Sequence, residues 1–132
     1  MRLFLRYWLL VLAQMAFIFY LSSRSSFPVE MPWWAYQGDK VVHMGLYGLL
    51  GFLFLRAWLR GALADISFNT SLVTIAFAAG YGLTDEFHQM FVPYRTADLL
   101  DVTADAVGAT LVCVLVYFFF KSKNWRTREQ SN

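Results

Sequence analysis

The sequence predicts an all-α fold, a four-helix transmembrane bundle with both termini cytoplasmic, and three observations carry that prediction. Hydrophobic residues make up 58% of the 132-residue chain against 15% charged, with a mean hydropathy of +0.46. A soluble domain of this size cannot hide so much hydrocarbon in its interior, so the bilayer must act as solvent. Four apolar runs alternate with clusters of ionisable residues, and lysine and arginine divide unevenly between the two sides those runs define. The whole of 1–132 reads as one domain, with helices at about 3–23, 39–59, 66–90 and 98–121.

The first run, Tyr7–Ser23, follows Arg2 and Arg6 and so resembles a secretory signal. Its bulky Trp8, Phe17, Phe19 and Tyr20, and the lack of a small-x-small cleavage site after it, make it a retained anchor helix. The connection Ser22–Gly38, with Pro28 and Pro32, is expected to lie along the outer interface. The second run, Val41–Leu55, is short, and the pattern resumes past Arg56, which can snorkel. Arg60–Ser67 makes a tight turn before the uncharged third run, Ile66–Thr84. The link Met90–Ala97 contains Pro93 and is too short to carry Arg95 away from its acidic neighbours. Ala106–Phe120 is the fourth run, and a basic, polar tail follows it. Runs shorter than about 20 residues imply that the helices start inside the polar clusters and draw them toward the membrane.

With four spans, Arg2, Arg6, Arg56, Arg60, Lys121, Lys123, Arg126 and Arg128 share one side, against Arg24, Lys40 and Arg95 on the other. The positive-inside rule then places both termini of this multi-pass membrane protein in the cytoplasm. Trp33, Trp34 and Tyr36 fit an outer aromatic belt, and Trp58 and Trp125 an inner one. The formal net charge of +2 is too small and too scattered for a nucleic-acid partner. The single cysteine, Cys113, has no partner for an intrachain disulfide and reads as a small hydrophobe.

Chemistry is confined to the outer ends of three runs. Residues three or four apart share a helix face. Asp39 precedes a stripe of Lys40, His43 and Tyr47. Tyr81, Asp85 and Gln89 form a second stripe, with Glu86 beside it and Gly80 and Gly82 within reach. Asp98, Asp101 and Asp105 form a third that continues to Gly108, and Arg95 lies just before it. Lipid rejects such faces, so all three should turn inward and meet, with Gly45, Gly48, Gly51 and Gly108 letting the helices approach. Six acids face Lys40 and Arg95, so some must be protonated, wetted or balanced by a cation.

Several roles fit this cluster. Ion pairs can simply lock the helix ends together, with Asp98 capping the fourth helix. A pocket of this kind can also hold a lipid headgroup or a lipid-linked envelope precursor, with Lys40 and Arg95 on phosphate and carboxylates on sugar or amine. A divalent cation or an acid–base site is a third role, with Asp85, Glu86 and Asp101 as ligands or acid–base groups and His43 as proton carrier. That reading would make the protein a membrane-embedded hydrolase or transferase acting on a lipid-linked phosphate or glycan. An ion or proton pathway is disfavoured because the inner halves of the helices carry no charge. His88 reads as an interfacial hydrogen-bonder, Asp65 as ordinary exposed charge and Phe118–Phe120 as lipid-facing bulk.

The blocks DKVVHMGLYGLLGF (Asp39–Phe52) and YGLTDEFHQMFVPYRTADLLDVTADAVGA (Tyr81–Ala109) resemble the VanZ-like family of small bacterial membrane proteins. The family's D-K-x-x-H with an aromatic four residues on matches Asp39, Lys40, His43 and Tyr47. Its D-E-x-x-Q matches Asp85, Glu86 and Gln89, and its arginine with an aspartate six residues later matches Arg95 and Asp101. The chain departs from the family where asparagine is common, at Asp105, and where glycine is common, at Tyr94. The resemblance implies a role at the cell envelope and in susceptibility to glycopeptide antibiotics such as teicoplanin; it implies no particular reaction.

Overall fold

A computed structural model describes the backbone at residues 2–24 and 33–129 and the side chains at 5–24 and 38–120. Four α-helices follow one another, α1 (Arg2–Ser22), α2 (Trp33–Trp58), α3 (Phe68–Gln89) and α4 (Leu99–Glu129), with a 3-10 turn at Leu63–Asp65 and no strand among the described residues. The side chains of Arg2, Trp33, Trp34, Tyr36, Lys121, Lys123, Trp125, Arg126 and Arg128 lie outside the described residues, as does most of the Ser22–Gly38 connection. The backbone of α2 begins before the expected residue 39, and that of α4 runs on past 121.

Local chemistry accounts for the ends. After Trp58 the chain closes in a Schellman pattern: Gly61 N–H donates to Arg56 O (2.8 Å), and Arg60 N–H to Ala57 O (3.1 Å). Arg60 and Gly61 have φ of 51° and 88°, the left-handed geometry that stops a helix. Ser67 and Thr70 form a capping box at the start of α3, each side chain accepting the other's backbone N–H. Asp98 Oδ1 accepts Leu100 N–H (2.8 Å) at the start of α4, the cap its position suggests.

Side-chain contacts fix an up-down-up-down arrangement. Trp8 meets Phe54 edge-on at 5.8 Å, so α1 runs against α2. Phe54 stacks on Phe77 at 4.1 Å and Tyr47 meets Tyr81 at 6.1 Å, so α3 also runs against α2. Lys40 reaches Asp98 and Asp101 while Gly51 meets Ala109, so α2 and α4 run side by side in the same direction. A Cβ on Gly108 would collide with the Met44 carbonyl, and one on Gly48 would lie 3.3 Å from Gly108 O. Only glycine permits that approach. Gly45, expected at a contact, instead meets open space, as does Gly80, because both lie on the outer faces of their helices.

The core holds Val11, Ile18, Tyr47, Leu50, Ala78 and Ala109, and a second cluster of Leu55, Cys113 and Val116 joins α2 to α4 near the other end. Outside lies a shell of exposed hydrocarbon, including Leu9, Phe17, Val41, Leu49, Leu115 and Phe118. A water-soluble monomer does not tolerate so much contiguous apolar surface. Three helices have stretches long and apolar enough to cross a membrane, Leu5–Ser22, Gly38–Trp58 and Leu99–Phe120. Helix α3 is long enough, but Asp85, Glu86, His88 and Gln89 dilute its hydropathy.

Candidate functional site

The start of α2, the end of α3 and the start of α4 meet at one end of the bundle, beside the end of α1. The three polar stripes expected from helical spacing converge there. Lys40 Nζ lies 2.7 Å from both Asp98 Oδ2 and Asp101 Oδ1, clamping α2 to α4. One turn further in, His43 Nδ1 is 3.1 Å from Asp105 Oδ1, and Asp105 is fully buried. The His43 ring lies parallel to that of Tyr47, 5.9 Å away, and the buried Tyr47 hydroxyl lies beside Asp85.

From α3, Gln89 Nε2 donates to Asp85 Oδ2 (3.2 Å), and Glu86 Oε2 accepts the Asp98 backbone N–H (2.6 Å). Glu86 Oε1 and Asp105 Oδ2 are buried without a hydrogen-bond partner. Gly82 supports the second of these: a Cβ there would occupy the place of the Asp105 carboxylate. Asp85, Glu86, Gln89, Asp101 and Asp105 are each 5% exposed or less, so four carboxyl groups and an amide stand largely out of water.

A cavity of about 70 Å³ opens between these groups, lined by Ile18, Leu21, Ser22, Asp39, Val42, His43, Leu46, Tyr47, Asp85, Gln89 and Arg95. That is room for a few waters or one small polar group. Arg95, whose Nε donates to Arg24 O (3.3 Å), is the basic residue in this lining. Of the partners open to Lys40, a phosphate or helix-locking acids, the structure shows two carboxylates. A larger groove of about 410 Å³ lies between α3 and α4 near the other end, lined mainly by Phe68, Ile75, Cys113, Val114, Tyr117 and Phe118, with no ionisable cluster.

Three polar residues of α1 and its end were not singled out from the sequence. Gln14 Nε2 donates to Leu46 O (3.1 Å), Ser22 lines the cavity with a buried, unpartnered Oγ, and Ser23 Oγ lies 3.1 Å from His88 Nε2. Isolated polar residues in an apolar run have no periodicity to reveal which face they occupy. His88, whose ring also lies tilted against that of Phe19 at 4.5 Å, stands apart from the acidic cluster, and Asp65 is exposed at the far end.

Comparison with known proteins places this architecture. An uncharacterized protein of Schizosaccharomyces pombe is 33% identical over 94 residues, covering 70% of this chain. The chain spans about half of that relative's length, 54%. No solved structure matches the chain. The sequence profile of the VanZ/LLP1 family matches residues 5–121, through all four helices and every residue of the polar cluster. With three helices apolar enough to cross a bilayer and the profile extending over nearly the whole chain, this membrane protein belongs to the VanZ/LLP1 family.

Proposed function

We propose that the cavity at the polar end of the bundle engages the headgroup of a membrane amphiphile, of which a lipid-linked envelope precursor is one case. The observation that carries this reading is the divided lining. Ile18, Leu21, Val42 and Leu46 offer an apolar wall, while Ser22, Asp39, His43, Tyr47, Asp85, Gln89 and Arg95 offer donors, acceptors and both signs of charge. An amphiphile has the same division, and a cavity at a helix end lies at the depth where headgroup meets chain. Arg95 suits phosphate, and the carboxylates suit amine or hydroxyl groups.

In this reading α3 also spans the membrane, shielded by α1, α2 and α4, and both termini are cytoplasmic, so the cavity faces outward. In a bacterial cytoplasmic membrane, occupying a precursor headgroup changes susceptibility to glycopeptide antibiotics. The fission-yeast relative favours a headgroup chemistry shared by all membranes, phosphate above all, over one restricted to bacterial walls.

Binding of decyl phosphate and of uncharged decyl maltoside to the purified protein tests the reading. Decyl phosphate should bind saturably, at least tenfold more tightly than the maltoside, and Arg95→Gln should remove that preference while Asp65→Asn keeps it. Equal binding of the two amphiphiles would overturn it.

A further inference from the structure

The acid excess of the cavity sits poorly with an anionic headgroup unless something balances it. Among the described residues Lys40 is the cation beside Asp98 and Asp101, and Asp105 meets the His43 ring, while Asp39, Asp85 and Glu86 have no lysine or arginine at salt-bridge distance. One donor atom each from Asp39, His43 and Asp101 lies within 4.8 Å of the other two. We infer that these three residues form a binding site for one divalent first-row transition-metal cation, of the Zn²⁺ or Mn²⁺ class, at the wall of the cavity.

Three further features support the inference. The buried Asp105 carboxylate takes Nδ1 of His43. With Asp105 ionised, that contact places the proton on Nδ1 and leaves the Nε2 lone pair free. Carboxylate–histidine–metal triads use the same support to fix the tautomer and orient the ring. Lys40 holds Oδ1 of Asp101, leaving the second oxygen for the cation, and metal-ligating carboxylates are commonly hydrogen-bonded in this way.

The third feature comes from α3. Glu86 is 4% exposed; its Oε2 caps Asp98, and its Oε1 is buried with no partner. That buried, unpartnered oxygen adds to the acid excess that a cation at the site would offset. Two carboxylate oxygens with one imidazole nitrogen select Zn²⁺ or Mn²⁺ over calcium, which prefers six to eight oxygens.

As an account of what the cavity recognises, this rests on the proposed engagement of an amphiphile: a cation at Asp39, Asp101 and His43 would make the acidic wall attractive to phosphate, opposite Arg95. The site itself is tested without lipid. Protein purified in detergent and stripped with EDTA is titrated with Zn²⁺ by calorimetry and with Mn²⁺ by electron paramagnetic resonance. One cation per chain is expected, and His43→Gln should abolish the nitrogen coupling on bound Mn²⁺.

Asp39→Asn and His43→Gln should each weaken binding tenfold or more, and Asp105→Asn, acting through His43, by about 10- to 100-fold. Asp39 makes no side-chain hydrogen bond to another described residue, so Asp39→Asn should keep the circular dichroism and elution volume of the parent and report on binding alone. Absence of saturable binding, or binding that survives both Asp39→Asn and His43→Gln, overturns the site. Decyl phosphate is then titrated with and without Zn²⁺. Stronger binding in the loaded protein supports the link, and equal binding in both states overturns it while sparing the amphiphile reading. A bound cation with no decyl phosphate binding in either state supports the site and overturns that reading instead.

Discussion

Lys40 holds two α4 carboxylates at once, while Asp85 has no cation at salt-bridge distance among the described residues, so the two should respond oppositely to neutralisation. The Lys40 side chain is 18% exposed, and its partners Asp98 and Asp101 are 24% and 7% exposed. Lys40→Met leaves two acids near each other without their cation, one of them buried. The expected loss is about 3 kcal/mol, read as a lowered midpoint in a denaturing-detergent titration, and Asp101→Asn added to Lys40→Met should recover part of it. Asp85→Asn removes one of several like charges and keeps an oxygen to accept from Gln89, so stability and decyl phosphate binding should both hold or rise. Loss of binding only in proportion to loss of folded protein would assign Asp85 to scaffolding. The acids and bases of the cluster were legible in the sequence because ionisable groups at membrane depth are rare enough to carry their own signal. Their pairing was not: nothing in the spacing distinguishes Lys40 facing a phosphate from Lys40 facing Asp98 and Asp101. Tyr94 illustrates a different kind of legibility. It stands where the family commonly has glycine, and its φ of 63° is the left-handed geometry glycine adopts freely.

At the scale of the helix, glycines separate contact faces from lipid faces. Periodicity shows that Gly45, Gly48 and Gly51 follow every third residue of α2, but the drift of that spacing around a 3.6-residue turn does not say which one meets a neighbour. The structure turns Gly48 and Gly51 to α4 and leaves Gly45 outward. Gly108→Ala should therefore push α4 off the Met44 carbonyl and cost about 2 kcal/mol. Gly45→Ala, with nothing within 4 Å, should be neutral or gain up to about 1 kcal/mol from helix propensity. Equal midpoints for the two variants in the same detergent titration would show that the α2–α4 approach is not set by Gly108. Helix α3 was the element least legible by hydropathy: its apolar run is genuine, but its last turn carries much of the site, so the features that give it chemistry dilute its membrane signal.

At the scale of the molecule, the two ends differ in kind. Opposite the acidic end, Arg6 and Arg56 approach the Tyr7 ring at 5.7 and 5.0 Å, gathering basic charge where α1 begins and α2 ends. On the proposed topology that end is cytoplasmic. A periplasmic-type reporter should then be active after Gln37 or Tyr94 and inactive after Gly61 or at Asn132, and the reverse pattern would turn the cavity toward the cytoplasm. The pairing of α2 with α4 also has a consequence for how the protein is made. Lys40 and His43 leave the ribosome 58 to 62 residues before Asp98, Asp101 and Asp105. At roughly 5–20 residues per second, α2 waits on the order of 3–12 s for its counter-charges. Through that interval the Lys40 end of α2 must keep an ammonium group among the headgroups, so α4, made later, sets the final depth of α2.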